Sequence, residues 1–350
     1  MKQISQLATV LGFVLVFTCA SYANDEFSIV YEGDGGIGAG KHIVYIASDH
    51  EYRGEQTLPA LARILAKHHG FKCTVIFGVD PEDGTILPGS SHIGGLDVLK
   101  EADLMVIAMR FINMPDDEMQ HFVDYVDRGG PIIGLRTSTH AFQIPKDRKF
   151  YAYDFRYPEE EFHMGFGRQV LGETWVTHYG DNHRQSSILA IEPKNEDHPI
   201  LRGVTDMHTE AGGYTAYPLE PSTILARGII LDGMTIDSPV DSSKQLMPVV
   251  WVRDYVSKSS NVARIFSTTQ GASEDIKSEG FRRLLVNAHF WCMDMGADIK
   301  PDLVVNFVGP YLPTTFSFSD WPRGIKPIDL QAWDSPIMNP EAPLTEKKKD

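Results

Sequence analysis

The stretch Gly129–Phe142, GGPIIGLRTSTHAF, sets the fold. Its apolar run PIIGL, Pro131 to Leu135, reads as a buried strand, and it passes straight into a turn of small polar residues. In several α/β enzyme folds a nucleophile is lifted above the sheet at such a place. Here the position is held by Arg136. A guanidinium stays protonated and is a poor nucleophile, but it can offer a planar fork to a carboxylate, a phosphate or an enolate oxygen. The other reading is an arginine that bridges two loops.

Upstream, HIVYIA (His42–Ala47), FKCTVIFG (Phe71–Gly78) and DLMVIAM (Asp103–Met109) are further apolar runs, as expected of strands covered on both faces. Between them, Leu58, Leu61, Ala62 and Leu65 recur at helical spacing and Gly70 stops the helix. GGLDVLKEA reads as a short helix. MPDDEMQHFVDYVDRGG has Pro115 and acids at its start, Met119, Phe122, Val123 and Val126 on one face, and glycines at its end. Alternating strands and helices predict a doubly wound, flavodoxin-like, mostly parallel sheet. Ligands in such sheets bind beyond the carboxyl ends of the strands. That rule selects SDHEYRGE, Ser48–Glu55, and RTSTHAF, Arg136–Phe142.

The second half is less regular. ETWVTHYG, SSILAIEP, STILARGIIL, MPVVWVRDY and NVARIFSTT are strand-like, and a last helix carries Phe281, Leu284, Leu285, Ala288 and Trp291 on one side. Ser273, with Glu274 and Asp275, is expected to cap that helix. Asn24–Gly40 is glycine-rich and reads as a linker or surface arm. The domain then runs over residues 41–295, and a proline- and aromatic-rich tail over 296–350 wraps it or reaches a partner. The closing TEKKKD reads as disordered.

The first 23 residues have Lys2, an apolar core and the small-residue end Ser21-Tyr22-Ala23, the pattern of a secretory leader cleaved near Ala23. That apolar core is too short to span a bilayer, which takes roughly 20 residues. The reading is an exported protein, periplasmic or extracellular, with no membrane span. Cys73 and Cys292 remain after cleavage, and both sit in apolar segments as buried thiols. A net charge of −15 argues against nucleic acid as a partner, because phosphate backbones are repelled. There is no G-x-S-x-G around Ser138, no P-loop, and the glycine-rich GDGGIGAG precedes rather than follows the first long strand.

The order HIVYIASDHEYR, GGPIIGLRTSTHAF, VLGETWVTHYGDNH, EDHPILRGV, MPVVWVRDY and TTQGASEDIKSEGFRRLLVNAHFW resembles the ThuA-like, or trehalose utilisation, family over Lys41–Asp294. The tail VGPYLPTTFSFSDWPRGIKPIDL is similar to the exported subgroup common in planctomycete-type bacteria. The resemblance implies a class I glutamine amidotransferase-like fold without the amidotransferase cysteine, and a role in disaccharide and keto-sugar catabolism. Many relatives carry histidine at Arg136, so a mechanism built on that histidine does not carry over.

Candidate residues follow. His50, Glu51, Arg136 and His140 are the catalytic set, with Glu51 or a histidine removing a proton beside a ketone. Arg53, Trp175 and Tyr179 are expected to bind substrate. Asp49 is expected to cap the following helix, and His198 to shape a turn before Pro199. His178 and His183, with Glu210, form a candidate site for a divalent metal such as zinc. The partner expected is a small carbohydrate. The alternative is a non-catalytic scaffold that binds a ligand or protein, with the tail as the contact to a partner or to a second copy.

Overall fold

The computed structural model describes residues 26–338. The proposed leader and the last residues of the tail, TEKKKD among them, lie outside the described residues. The strands are β1 (Ser28–Tyr31), β2 (His42–Ser48), β3 (Lys72–Phe77), β4 (Leu104–Met109), β5 (Ile132–Leu135), β6 (Ser186–Ile191), β7 (His208–Thr209), β8 (Thr223–Leu231), β9 (Met247–Val256) and β10 (Val262–Thr268). The α-helices are α1 (Gly54–His69), α2 (Asp116–Asp127) and α3 (Glu279–Cys292).

All ten strands form one sheet in the order β1-β3-β2-β4-β5-β10-β9-β8-β6-β7. β3, β2, β4, β5 and β10 run parallel, the doubly wound core that the apolar runs predict. β9, β8, β6 and β7 extend it antiparallel. Each central strand is buried on both faces because its side chains alternate between two cores. In β2, Ile43, Tyr45 and Ala47 meet α1, α3 and the tail, whereas Val44 and Ile46 meet α2.

Order reverses between β2 and β4: the chain leaves β2 towards β3, then returns to the other side of β2. The loops after β2 and β4 therefore diverge and open a crevice at the carboxyl edge.

Several expectations are corrected. Asn24–Gly40 is not a bare linker, since β1 pairs antiparallel with β3 and buries Ile29 and Tyr31. GGLDVLKEA does form the short helix expected of it, Leu96–Glu101, of the 3-10 type. ETWVTHYG forms no strand. Tyr179 and Gly180 donate to Gly213 and Gly212 carbonyls at 3.1 and 2.9 Å, so this segment pairs with an irregular loop. The last helix begins at Glu279, and Ser273 does not cap it: its Oγ donates to the Thr314 carbonyl at 2.9 Å. Cys73 and Cys292 are buried free thiols, and burial pushes both well up from the usual thiol range.

The tail wraps the domain. Among the described residues it packs on its own chain, with Leu330, Ile337 and Met338 in the core beneath α1 and α3.

Candidate functional site

The loops after β2 and β5 do meet. Asp49 Oδ1 accepts the Glu51 and Tyr52 amides at 2.7 and 3.1 Å, which curls the loop after β2. Its Oδ2 accepts a short hydrogen bond from Thr137 Oγ1 in the loop after β5. Asp49 thus ties two loops together and does not cap α1, whose N-cap position is Arg53 with no side-chain cap.

Arg136 stands at the end of β5 with φ 39°, a left-handed backbone that costs a bulky residue on the order of 1–3 kcal/mol. The surroundings hold it there. Nη1 donates to the Thr269 carbonyl at 2.8 Å, and Nη2 donates to Asn182 Oδ1 at 3.3 Å. The guanidinium lies 3.7 Å over the Tyr52 ring and 4.6 Å from that of Tyr214. It is fully buried between those two rings, so it is not an open fork for a ligand. Of the two sequence readings, the bridging arginine describes this geometry. Arg136 fixes the loops around it.

The cation at the crevice is Arg110, the residue after β4. Its Nη1 makes a short ion pair with Glu51 Oε2. Its guanidinium lies 5.0 Å from the Phe111 ring and 4.9 Å from the Phe318 ring. The Arg110 side chain is only 10% exposed and that of Glu51 6%. The buried Nε of Arg110 has no hydrogen-bond partner. Both rings stand within cation–π range of the guanidinium. Burial raises the Glu51 carboxyl above its usual value, with Arg110 and then Arg136 pulling the other way. Asn182 Nδ2 bridges Glu51 Oε1 at 3.4 Å and the Tyr52 hydroxyl at 2.8 Å.

Three histidines flank this pair. His50 is half-buried against Phe318 (5.6 Å) and Phe111 (6.1 Å). Burial depresses its pKa, Asp49 opposes that, and Arg110 adds to it. His140 is buried beside Phe111, Trp175 and Tyr214 at 5.1 to 5.6 Å. Its pKa is driven far down by burial and by the charges of Arg110 and Arg136. His178 is exposed and touches Trp175 and Tyr214 at 6.0 and 5.5 Å. Its pKa is also lowered, by burial first and then by Arg136 and Arg110. All three imidazoles are therefore neutral at neutral pH, and His140, buried among these charges, is the one that resists a proton most.

Other candidates lie elsewhere. Arg53 is fully buried and its Nη2 donates to the Ser319 carbonyl (2.6 Å) and Ser317 Oγ (3.1 Å), so it fastens the tail and does not face substrate. Tyr179 packs with Ile230 and Met247 in a small core cluster, which removes it from the substrate wall. Trp175 remains beside His140 and His178. The metal set does not assemble. His183 stacks on Phe316 at 4.4 Å. Glu210 pairs with Lys277 at 2.7 Å in a separate cleft of about 450 Å³ that also holds His208 and Glu274. Among the described residues no three His, Cys, Asp or Glu side chains are arranged to hold a metal, so these residues do not fit one.

Arg110, Asn182, Tyr214 and Phe318 were not singled out by the sequence. Only Arg110 had a usable signal, since it follows a strand end that obeys the same carboxyl-edge rule.

The solved structures that resemble this chain include a ThuA-like protein from Bacteroides uniformis, 16% identical, covering 75% of this chain and 94% of its own, with a TM-score of 0.46. A ThuA-like protein from Parabacteroides merdae is 17% identical, covers 81% and 97%, and has a TM-score of 0.44. A glutaminase domain of Trypanosoma brucei CTPS with bound acivicin is 11% identical, covers 76% and 96%, and has a TM-score of 0.34. No curated protein matches the sequence. The family profile described as trehalose utilisation matches residues 44–292, from the third residue of β2 to the end of α3, and the chain belongs to this ThuA family.

Proposed function

We propose that the protein acts on a carbohydrate that carries a ketone, and cleaves its glycosidic bond by proton transfer. His50 takes the proton from the carbon next to the carbonyl. The electron pair moves onto the carbonyl oxygen, which Arg110 stabilises through the in-plane N–H groups left free by Glu51. When the carbonyl re-forms, the bond to the β-positioned glycosidic oxygen breaks, and that oxygen leaves with the proton now held on the imidazolium of His50. Glu51 and Asn182 position Arg110, Arg136 braces the loops from behind, and Trp175 stacks on the sugar. No step requires a metal.

One observation carries this reading: a half-exposed, neutral His50 stands beside an arginine whose buried Nε–H lacks a partner. The family's link to trehalose utilisation supplies the substrate class. The test is turnover of 3-keto-disaccharides by purified protein, followed as monosaccharide release. The base acts in its neutral form, and its pKa lies below the ordinary value of about 6.5. kcat/KM should therefore stay flat from pH 8 to below pH 6.5 and fall only under that. A profile that already declines above pH 7 on acidification, or no turnover of any keto-sugar, overturns the assignment.

Export belongs to the same proposal. Cleavage near Ala23 predicts a secreted product whose N-terminal sequence begins at Asn24, and a product beginning at Met1 would contradict it.

A further inference from the structure

The tail crosses the carboxyl edge of the sheet directly over this site, and it is fastened there residue by residue. Gln56, in the first turn of α1, donates from Nε2 to Thr314 Oγ1 (2.7 Å) and accepts the Thr314 amide at Oε1 (2.9 Å). Thr315 Oγ1 donates to Glu274 Oε1 at 3.1 Å. The Tyr311 hydroxyl donates to the Ser273 carbonyl at 2.6 Å. Together with the bonds from Arg53 and Ser273, these fix both ends of the short segment Thr314–Ser319.

The segment alternates two phenylalanines with serines, and the phenylalanines differ. Phe316 is fully buried against Tyr52 (5.1 Å) and His183, and serves as an anchor. Phe318 is 59% exposed although it lies against His50 and Arg110, the two groups at the centre of the site.

We propose that Phe318 is a ligand-contacting residue, the apolar wall on which a pyranose ring stacks, so that the tail is a working part of the site. This rests on the carbohydrate reading above. A ring seated on Phe318 lies next to Arg110, whose guanidinium is 4.9 Å from the Phe318 ring and whose Nε–H has no partner. A sugar suits both neighbours. Its oxygens lie around the rim of the ring and accept hydrogen bonds there, while its C–H face is apolar and covers an aromatic ring. Trp175 flanks the histidines from the other side, next to His140 and His178, so the two aromatic side chains bracket the row of imidazoles.

The experiment is calorimetric titration of the full chain with trehalose and with 3-keto-trehalose, for the unaltered protein and for Phe318→Ala, Phe318→Leu and Phe318→Trp. The exposed position makes all three variants foldable, and thermal unfolding is recorded alongside. Loss of the stacking face should weaken binding by about 10- to 100-fold in the Ala and Leu variants, with Tm unchanged, while Trp stays within about threefold. Equal affinity in the unaltered protein and the Ala variant overturns the role of Phe318 and leaves the carbohydrate reading standing. Binding of neither probe by the unaltered protein overturns both.

Discussion

Arg110→Ala should abolish turnover and also destabilise the fold, and the loss should grow as the pH rises. The substitution leaves Glu51 buried with its charge uncompensated on that side. Breaking a buried pair by removing one partner typically costs about 3–5 kcal/mol. A carboxylate can escape part of that cost by taking up a proton. Burial already raises the Glu51 pKa, and Arg110 is the strongest influence pulling it back. In the variant the folded-state pKa therefore rises further above the unfolded value. The folded state then binds more protons than the unfolded state between those two pKa values, so stability falls with increasing pH across that window. Thermal unfolding at pH 5 and pH 8 should show a Tm deficit, relative to the unaltered protein, that is larger at pH 8. Adding Glu51→Gln to the same chain removes the stranded charge. It should recover most of the stability at both pH values and none of the turnover. A single Arg110→Ala variant with the same deficit at both pH values would mean that Glu51 is not stranded by the loss.

The parts of this molecule that the sequence discloses are those whose partners are generic. β2, β4 and β5 are continuous apolar runs because two hydrophobic faces must be covered, and any apolar neighbour satisfies them. α1 and α2 follow from spacing, and their ends from Gly70 and Pro115. The loops after β2 and β5 were selected by the carboxyl-edge rule, and Thr137 and Asp49 join them. What the sequence conceals depends on particular partners far along the chain. Tyr179 looks like a stacking residue beside two histidines, yet the loop carrying it runs along Gly212 and Gly213 and turns it inward. Glu210 looks like a ligand until Lys277 is placed beside it. Arg136 occupies the strained turn as expected, but Tyr52 and Tyr214 enclose it, and no local pattern announces two tyrosines from different loops. The contribution of Phe318 to the site is invisible for the same reason, since its register over His50 is set by Gln56 and Arg53, more than 250 residues earlier.

Arg63 shows how strongly such distant fastening is built, and its removal should be among the most damaging single changes in the chain. It lies on the buried side of α1 and is 0% exposed. Every hydrogen-bond acceptor around it belongs to an uncharged group. Nε donates to the Tyr31 hydroxyl at 3.1 Å. Nη1 donates to the carbonyls of Ser335 (2.8 Å) and Val308 (3.4 Å). Nη2 donates to the carbonyls of Leu330 and Ala332, both at 2.8 Å, and to Ser335 Oγ at 2.9 Å. The cation is thus solvated by the tail; the Ser335 and Val308 carbonyls take this guanidinium as donor, whereas the Leu330 carbonyl also accepts the Tyr31 hydroxyl at 2.5 Å and the Ala332 carbonyl the Ser335 amide at 3.2 Å. Arg63→Met keeps the volume and removes all of these donors. The Ser335 and Val308 carbonyls lose this donor, at about 1–3 kcal/mol for each that stays out of water, unless the tail lifts away to reach it. Either response lowers stability, and an overall loss of about 3–5 kcal/mol should bring Tm down by on the order of 10 °C. The two responses separate in limited proteolysis. If the tail lifts, cleavage appears after Val308 while the sheet domain survives. The segment over the site, Thr314–Ser319, lies between the Val308 and Leu330 attachments, so a lifted tail should also weaken the proposed sugar binding, as is expected of Phe318→Ala. Arg63→Lys has one cationic centre in place of the fork and should fall between the two. An Arg63→Met protein with unchanged Tm and an uncut tail would show that the tail is held by its apolar contacts alone.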